Sequence, residues 1–582
     1  MKTKKKALAA IAVAASVTLV LSACGGSSSD GNKAKTSSGG YNAAVSAVVN
    51  PSTKTGGTLK LAASSDCDSL DPARTYYGWC WNIQRLFTRS LVGYSQVNGT
   101  DFKIAPDLAT SLGEHNADFT TWTYKLKPGL KWSNGKPITP MDVKYGVERM
   151  FATDVITGGP TSYFTSTIDH PKDYKGPYKS GDLDTITTTA DSITFKLSSA
   201  YSDWPYLMAM AASAPVPYKT EGGKGFVGAN YTKHPMASGP FMIKSYTPTK
   251  SVIFVRNPNW DASTDTIHKP LADEIDLTIN SNPSDIDSKL EAGTYDARAD
   301  APIETALQSK VFTDPKLKAN ADDPQTSFTQ FLTTYPSVIP NKDCRLAIFY
   351  ATNKAAIVQA YGGAAAGVPA GSMAPVGIPG HDAKYDPYPS GKDNTGDLAK
   401  AKAALAKCGK PNGFSTKMAY STSRDTGKKA FQAEQSALAR VGIKVTGAAN
   451  DGSTYYSTFV GSPSNVKNQG FGISINGWGA DFPTGYGFWQ SIAATDAILE
   501  TGNSNYPSLS DPTVDGVLKG SLLGKSTEAD WAKVNHAVMD SVTYLPLFFG
   551  RSLYYRNPRL TNITSDNALA FGIYDFVNVG VK

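Results

Sequence analysis

Residues Ala105 to Met150 read APDLATSLGEHNADFTTWTYKLKPGLKWSNGKPITPMDVKYGVERM. Trp122, Tyr124 and Leu126 alternate with Thr123, Lys125 and Lys127, the period of a half-buried strand. Pro128-Gly129 turns the chain, Leu130-Lys131-Trp132 resumes the alternation, and Asn134-Gly135 supplies the residues a tight turn with positive φ prefers. Thr139 then caps a helix, with Pro140 at its first position and Asp142 reaching back from the third. Val143, Val147, Met150 and Phe151 fall at helical spacing and give that helix one apolar face. Strand, turn, short strand and capped helix in close succession belong to an α/β protein.

The order and spacing of these residues resemble the signature of the family 5 extracellular solute-binding proteins, the peptide-binding group of ABC importers. Pro106-Asp107-Leu108-Ala109, Leu126, Gly129, Trp132, Gly135, Pro137, Thr139 and Asp142-Val143 occupy the family's places. Further blocks agree: Leu70-Asp71-Pro72, Ser238-Gly239-Pro240-Phe241 with Arg256-Asn257-Pro258-Asn259-Trp260, and Leu290, Gly293 and Asp296. Asp343 to Ala351 resembles the family's D-x-R-x-A-L-x-Y-A-I-D helix, with Asn353 where the acid usually stands. Together the blocks cover about residues 57–578. The resemblance implies a two-lobe periplasmic-binding-protein-like fold (type II, of the large cluster) with an extra subdomain inserted into the first lobe.

The chain has 582 residues, 41% hydrophobic and 18% charged, enough for several cores. Its formal charge is +7, of which Lys2, Lys4, Lys5 and Lys6 supply four, so the remainder carries +3. The remaining charges are interspersed, without the basic stripe that nucleic-acid binding needs, and no nucleic-acid partner is expected. A basic start, an apolar run from Ala7 to Leu21 and then Leu21-Ser22-Ala23-Cys24 read as a lipoprotein signal over 1–23. Cys24 is the expected lipid attachment point, which places the protein on the extracytoplasmic face of a bacterial membrane, anchored rather than inserted. Residues 24–55, mostly Gly, Ser, Asn, Lys and Ala, read as a flexible tether spanning roughly 30 Å as a coil. Beyond them the expected layout is a first lobe over 56–100, an inserted subdomain over 101–232, and the first lobe again over 233–327. The second lobe then spans 328–545, and 546–582 returns to the first.

Several segments carry local expectations. Ile83 to Tyr94 (IQRLFTRSLVGY) reads as a helix, Leu398 to Gly409 as an Ala-rich helix stopped by Gly409, and Phe431 to Val445 as a helix-to-strand transition. Asp66, Asp68 and Asp71 lack the spacing and Gly of a calcium loop and read as a turn with carboxylate caps. Cys67, Cys80, Cys344 and Cys408 form an even set with three possible pairings. Locality within the expected lobes favours Cys67–Cys80 and Cys344–Cys408. Metal binding by these cysteines is disfavoured, since there is no CxxC and no nearby His.

A search for enzyme chemistry finds no HExxH, GxSxG or suitably placed GxGxxG. Gly524-Lys525-Ser526-Thr527 is close to a phosphate-binding loop, but Gly520 stands one place too near. The six His residues are scattered. Neither an enzyme nor a cofactor is expected.

The stretch expected to bind ligand is Gly477-Trp478-Gly479-Ala480-Asp481-Phe482-Pro483, after the buried strand marked by Ile473 and Ile475. Open α/β sheets bind ligands in crevices at such strand ends. In the peptide binders of the family, an Asp three residues after a Trp here pairs with the peptide's amino group, and Asp481 stands in that place. Trp478, Gly479 and Ala480 complete the expected site, with Trp478 open between ligand packing and core. An Arg that helps some relatives hold a short peptide's carboxylate is replaced by Ile475, so recognition of the far end is unsupported. The resemblance thus implies a monomeric component that captures a peptide or other small solute and passes it to a membrane permease with a cytoplasmic ATPase. Oligosaccharides and metal or haem complexes are alternative ligands in the family, and a secreted hydrolase is the alternative of another class.

Overall fold

A computed structural model describes residues 35–582 apart from 98–100, 224, 226, 423–424, 451–453 and 566–573. The leader, Cys24 and residues 25–34 of the expected tether lie outside the described residues.

The 105–150 stretch folds much as its pattern dictates. Strand Thr121–Lys125 buries Trp122 and Tyr124, and Gly129 and Gly135 both turn with positive φ. The second short strand reduces to a single bridge, Lys131 to Pro137. Helix Pro140–Glu148 starts where Thr139 donates from both its N–H and Oγ1 to Asp142 Oδ2, at 2.7 and 2.9 Å. This unit packs into an antiparallel sheet ordered Glu114–His115, Thr121–Lys125, Ser192–Lys196, Ile186–Thr188. Its core joins Tyr124, Val143, Val147, Phe164, Phe195 and Trp204.

Two larger sheets form the lobes. The first orders Phe241–Thr247, Ser251–Arg256, Glu274–Ile279, Thr58–Ala63 and Ala297–Arg298. The second orders Gly367–Pro369, Tyr544–Arg551, Gln325–Thr334, Phe471–Gly479, Ser415–Ser421 and Lys444–Asn450. Helices Lys342–Ala351, Leu398–Lys407 and Asp425–Ala439 contribute to the core of the second lobe. The chain changes lobes twice, side by side. Ala321–Asp322 pairs with Tyr554–Tyr555, and Gln325 begins the second lobe's sheet opposite Arg551. The crossing out therefore lies near 322–325 rather than at 328. The return lies near 551–554 rather than at 546, because the strand to Arg551 stays hydrogen-bonded in the second sheet.

Three local expectations change. Ile83 to Tyr94 is not one helix: the helix is Gly78–Gln84, and Val92–Val97 is a strand paired with Asp101–Pro106. Ile83, Leu86, Phe87 and Leu91 are all fully buried, so the apolar spacing marks burial without specifying a helix. Residues 36–49 do not extend as a tether. Thr36–Ser37 pairs with Val48–Val49, Ala44 N–H donates to Asp322 Oδ1 at 2.9 Å, and Ala44 and Val49 are fully buried. The short AAVSAVV run supplies apolar surface that the Gly- and Ser-rich average of the segment conceals. The Phe431–Val445 transition is present, but its helix begins six residues earlier, at Asp425. Cys67 is bonded to Cys80 and Cys344 to Cys408, with Cα–Cα separations of 5.6 and 5.3 Å.

Candidate functional site

Strand Phe471–Gly479 lies inside the second sheet between Gln325–Thr334 and Ser415–Ser421. A Cβ at Gly477 would meet the Phe328 ring at 2.3 Å, which is why a glycine stands where this strand nears its end. The chain leaves the sheet at Ala480 and re-enters a helix, Gly485–Ala493, whose Thr484 cap accepts from Gly487 N–H at 2.9 Å. Asp481 and Phe482 thus sit in a short loop held at both ends. Phe482, only 2% exposed, is buried in the core of the inserted subdomain, 5.9 Å from the rings of both Tyr163 and Tyr206.

The neighbouring Asp481 meets two tyrosines of the opposite side. Tyr76 Oη donates to Asp481 Oδ2 at 2.6 Å and Tyr163 Oη donates to the same oxygen at 2.5 Å. Oδ1 accepts from no donor among the described residues. Burial raises the Asp481 carboxyl above its ordinary range, and the two tyrosine hydrogen bonds only partly oppose this. No Lys, Arg or His forms an ion pair with Asp481 among the described residues.

Tyr76 is presented by the loop that the Cys67–Cys80 bond closes. Its N–H donates to Asp68 Oδ2 at 2.7 Å, and its ring meets Trp81 edge-on at 5.6 Å. The same loop is fixed through Asp71, a fully buried carboxylate paired with Arg149 at 2.6 Å. Asp68 and Asp71 also accept from Ser69 N–H and Ala73 N–H, as carboxylates do in a capped turn.

Two spaces flank these groups. A partly open cavity of about 80 Å³ is lined by Trp81, Asn82, Arg85, Met210, Ala480 and Asp481 among others. A wider cleft of about 1010 Å³ is lined by Tyr76, Trp79, Phe328, Gln330 and Arg551 among others. The Tyr76–Asp481 hydrogen bond joins a wall of the cleft to a wall of the cavity. The cavity has room for a small head group, and the cleft for the body of a ligand.

Of the residues expected at the site, Ala480 and Asp481 line the cavity, while Gly479 pairs with Phe328 in the sheet. Trp478 donates its indole N–H to Phe488 O at 2.8 Å and packs against the second lobe's core, a position that structure alone accounts for. Tyr76 and Tyr163 escaped the sequence reading. An adjacent Tyr76-Tyr77 pair between two cysteines was a signal for the first, whereas nothing local marks Tyr163.

A second polar cluster joins Asp107, Asp265 and His268, with ligand atoms within 4.8 Å of one another. Arg89 lies against it, its Nε 2.6 Å from Asp107 and 3.2 Å from Asp265. Despite burial, His268 and Arg89 hold Asp265 well below the usual carboxylate range. The guanidinium supplies the cation that these carboxylates need, and its ion pair accounts for Asp107 of the PDLA block.

The profile of the bacterial extracellular solute-binding proteins, family 5 Middle, matches residues 103–498. A solved structure titled clavulanic acid biosynthesis oligopeptide binding protein 2 is 38% identical, with a TM-score of 0.87 over 93% of this chain and 98% of that one. Among curated proteins, the glutathione-binding protein GsiB of Pectobacterium atrosepticum is 26% identical over 79% of this chain and 82% of its own. The probable D,D-dipeptide-binding periplasmic protein DdpA of Escherichia coli is 25% identical over 84% and 88%. The Helicobacter pylori binding protein DppA, solved with the peptide STSA, shares the fold at 19% identity and a TM-score of 0.66, over 91% of this chain and 99% of that one. With this two-lobe α/β architecture and a profile match over most of its length, the chain belongs to the bacterial extracellular solute-binding proteins of family 5.

Proposed function

We propose that this protein is the lipid-anchored substrate-binding component of an ABC import system, capturing peptides by their free amino terminus and delivering them to a membrane permease. The observation that carries the reading is Asp481. This carboxylate sits between the lobes and lines a small cavity, with tyrosine hydroxyls on Oδ2 and, among the described residues, no donor on Oδ1. A desolvated carboxylate without a countercharge gains most from a cationic ligand, and an α-ammonium at the cavity leaves the wider cleft for the peptide chain. The names of the relatives, which bind glutathione, a D,D-dipeptide and oligopeptides, agree with this class. Lobe closure brings Phe482 into the opposite core and excludes water from the bound head group. Anchoring through Cys24 is part of the same proposal. A Cys24→Ser variant is expected to leave the membrane fraction and lose metabolic lipid labelling.

The direct test is mass spectrometry of molecules released when the purified protein is denatured, followed by calorimetry with the peptides found. Peptides with free amino termini are expected, and N-acetylation should abolish their binding. Release of a sugar or a metal or haem complex would keep the fold and replace the ligand class. Hydrolysis of the added peptides would replace the binding role by an enzymatic one.

A further inference from the structure

Tyr76 and Tyr163 come from segments far from Asp481 in the chain and converge on one of its two oxygens. We propose that these tyrosines make the site selective for a primary ammonium over a guanidinium, by filling both acceptor positions of Asp481 Oδ2 and leaving only Oδ1 for the ligand. The inference rests on the reading of Asp481 as the ligand anchor and specifies what chemistry that anchor accepts.

A carboxylate oxygen offers about two lone-pair directions. The Tyr76 and Tyr163 hydroxyls, at 2.6 and 2.5 Å, use both on Oδ2. A guanidinium binds a carboxylate best as a planar fork, with two parallel N–H groups reaching both oxygens at once. With Oδ2 occupied, that fork has only half its acceptor, and its remaining N–H groups enter a cavity of about 80 Å³. An ammonium is a compact point charge whose three donors rotate to suit the acceptors available, and it can approach Oδ1 alone.

The cavity offers a second acceptor. Asn82 is 2% exposed, donates from Nδ2 to Tyr574 O at 2.7 Å, and its Oδ1 has no donor. Arg85 also lines this space, but Asp575 neutralises it at 3.1 Å.

The tyrosines are also fixed. Tyr76 is held by the disulfide-closed loop and the Asp68 carboxylate, and Tyr163 lies in the short helix Thr161–Thr165 with its ring against Phe482. A guanidinium therefore cannot swing both hydroxyls aside without breaking contacts elsewhere.

The experiment uses a tripeptide library without Lys or Arg and the same library converted to N-terminal guanidines, mixed in equal amounts. Peptides retained by the wild-type protein and by a Tyr76→Phe/Tyr163→Phe variant are quantified by mass spectrometry. Wild type is expected to retain the amines over the guanidines by about 10-fold or more, a single lost charge-assisted hydrogen bond being of that size. The double variant, with Oδ2 freed, should narrow the ratio to below about 3-fold. The single Tyr76→Phe variant, altered at a residue 45% exposed, should give an intermediate ratio and serves if the double variant folds poorly. Equal retention of both libraries by wild type would leave the peptide reading standing and overturn this inference. An unchanged ratio in the folded variants would overturn it too. Retention of neither library would overturn the peptide reading itself, and the inference with it.

Discussion

Asp481 owes its raised carboxyl pKa to burial beside two phenols, and ligand binding inherits that shift. An ammonium pairs with the ionised form, so affinity should fall as pH drops through the raised value and reach a plateau above it. Calorimetry across pH with one peptide checks this, and the ligand-free protein should release protons on binding near its pKa. Asp481→Asn should weaken that peptide by about 30-fold or more while leaving thermal unfolding within a few degrees of wild type. Away from the site, Glu434 is fully buried in the second lobe, with Thr352 Oγ1 as its donor at 2.8 Å, and burial pushes its carboxyl up to about 7. The folded state then binds more protons than the unfolded state between the ordinary carboxylate range and about 7. Its stabilising effect is complete below that range and is lost as pH rises through about 7. Glu434→Gln should flatten this part of the pH profile in denaturant titrations, by on the order of 3 kcal/mol at most.

At the scale of elements, the two disulfides do different work. Cys344–Cys408 closes 64 residues between helix Lys342–Ala351 and the end of helix Leu398–Lys407, whereas Cys67–Cys80 closes only 13. Chain-entropy arguments assign about 4 kcal/mol to the first and about 3 to the second. Removing Cys344–Cys408 should therefore cost more in unfolding midpoint with ligand affinity unchanged. The Cys67→Ala/Cys80→Ala pair should cost less stability but weaken ligand binding, because its loop positions Tyr76. The loop carrying Phe482 is a second such device. Phe482 is buried against another part of the chain, from which the proposed lobe opening would withdraw it. Phe482→Ala should reduce ligand affinity with a small effect on the unfolding midpoint. Phe164→Ala, inside the subdomain core at 0% exposure, should cost about 3–5 kcal/mol outright.

Over the whole molecule, the inserted subdomain touches the second lobe directly. Ser202 N–H donates to Leu522 O at 2.9 Å, its Oγ donates to Ser521 O at 2.6 Å, and Tyr201 meets Tyr486 edge-on at 5.5 Å. Tyr201 shares a buried core with Phe482, and Tyr486 and Leu522 pack against that core. In the proposed closure the paired crossings serve as the hinge and the subdomain contacts as the edge that opens. Small-angle scattering should show a larger radius of gyration for Phe482→Ala than for wild type, and added peptide should reduce it. An identical radius for both proteins, with and without peptide, would mean that the lobes do not move.

The sequence by itself determined what local chemistry controls. The period of Trp122, Tyr124 and Leu126, the Thr139–Asp142 cap, the turns at Gly129 and Gly135 and the buried strand before Asp481 all depend on near neighbours, and all appear in the structure. Apolar spacing alone misled over 83–94, where a strand at Val92 is specified by its partner beginning at Asp101, and over 36–49, where small apolar residues find a surface only after the lobes form. Only the tertiary structure decided how the carboxylate is dressed. Tyr76 and Tyr163 lie 405 and 318 residues from Asp481, and no pattern within a window of sequence links groups that only the tertiary fold brings together.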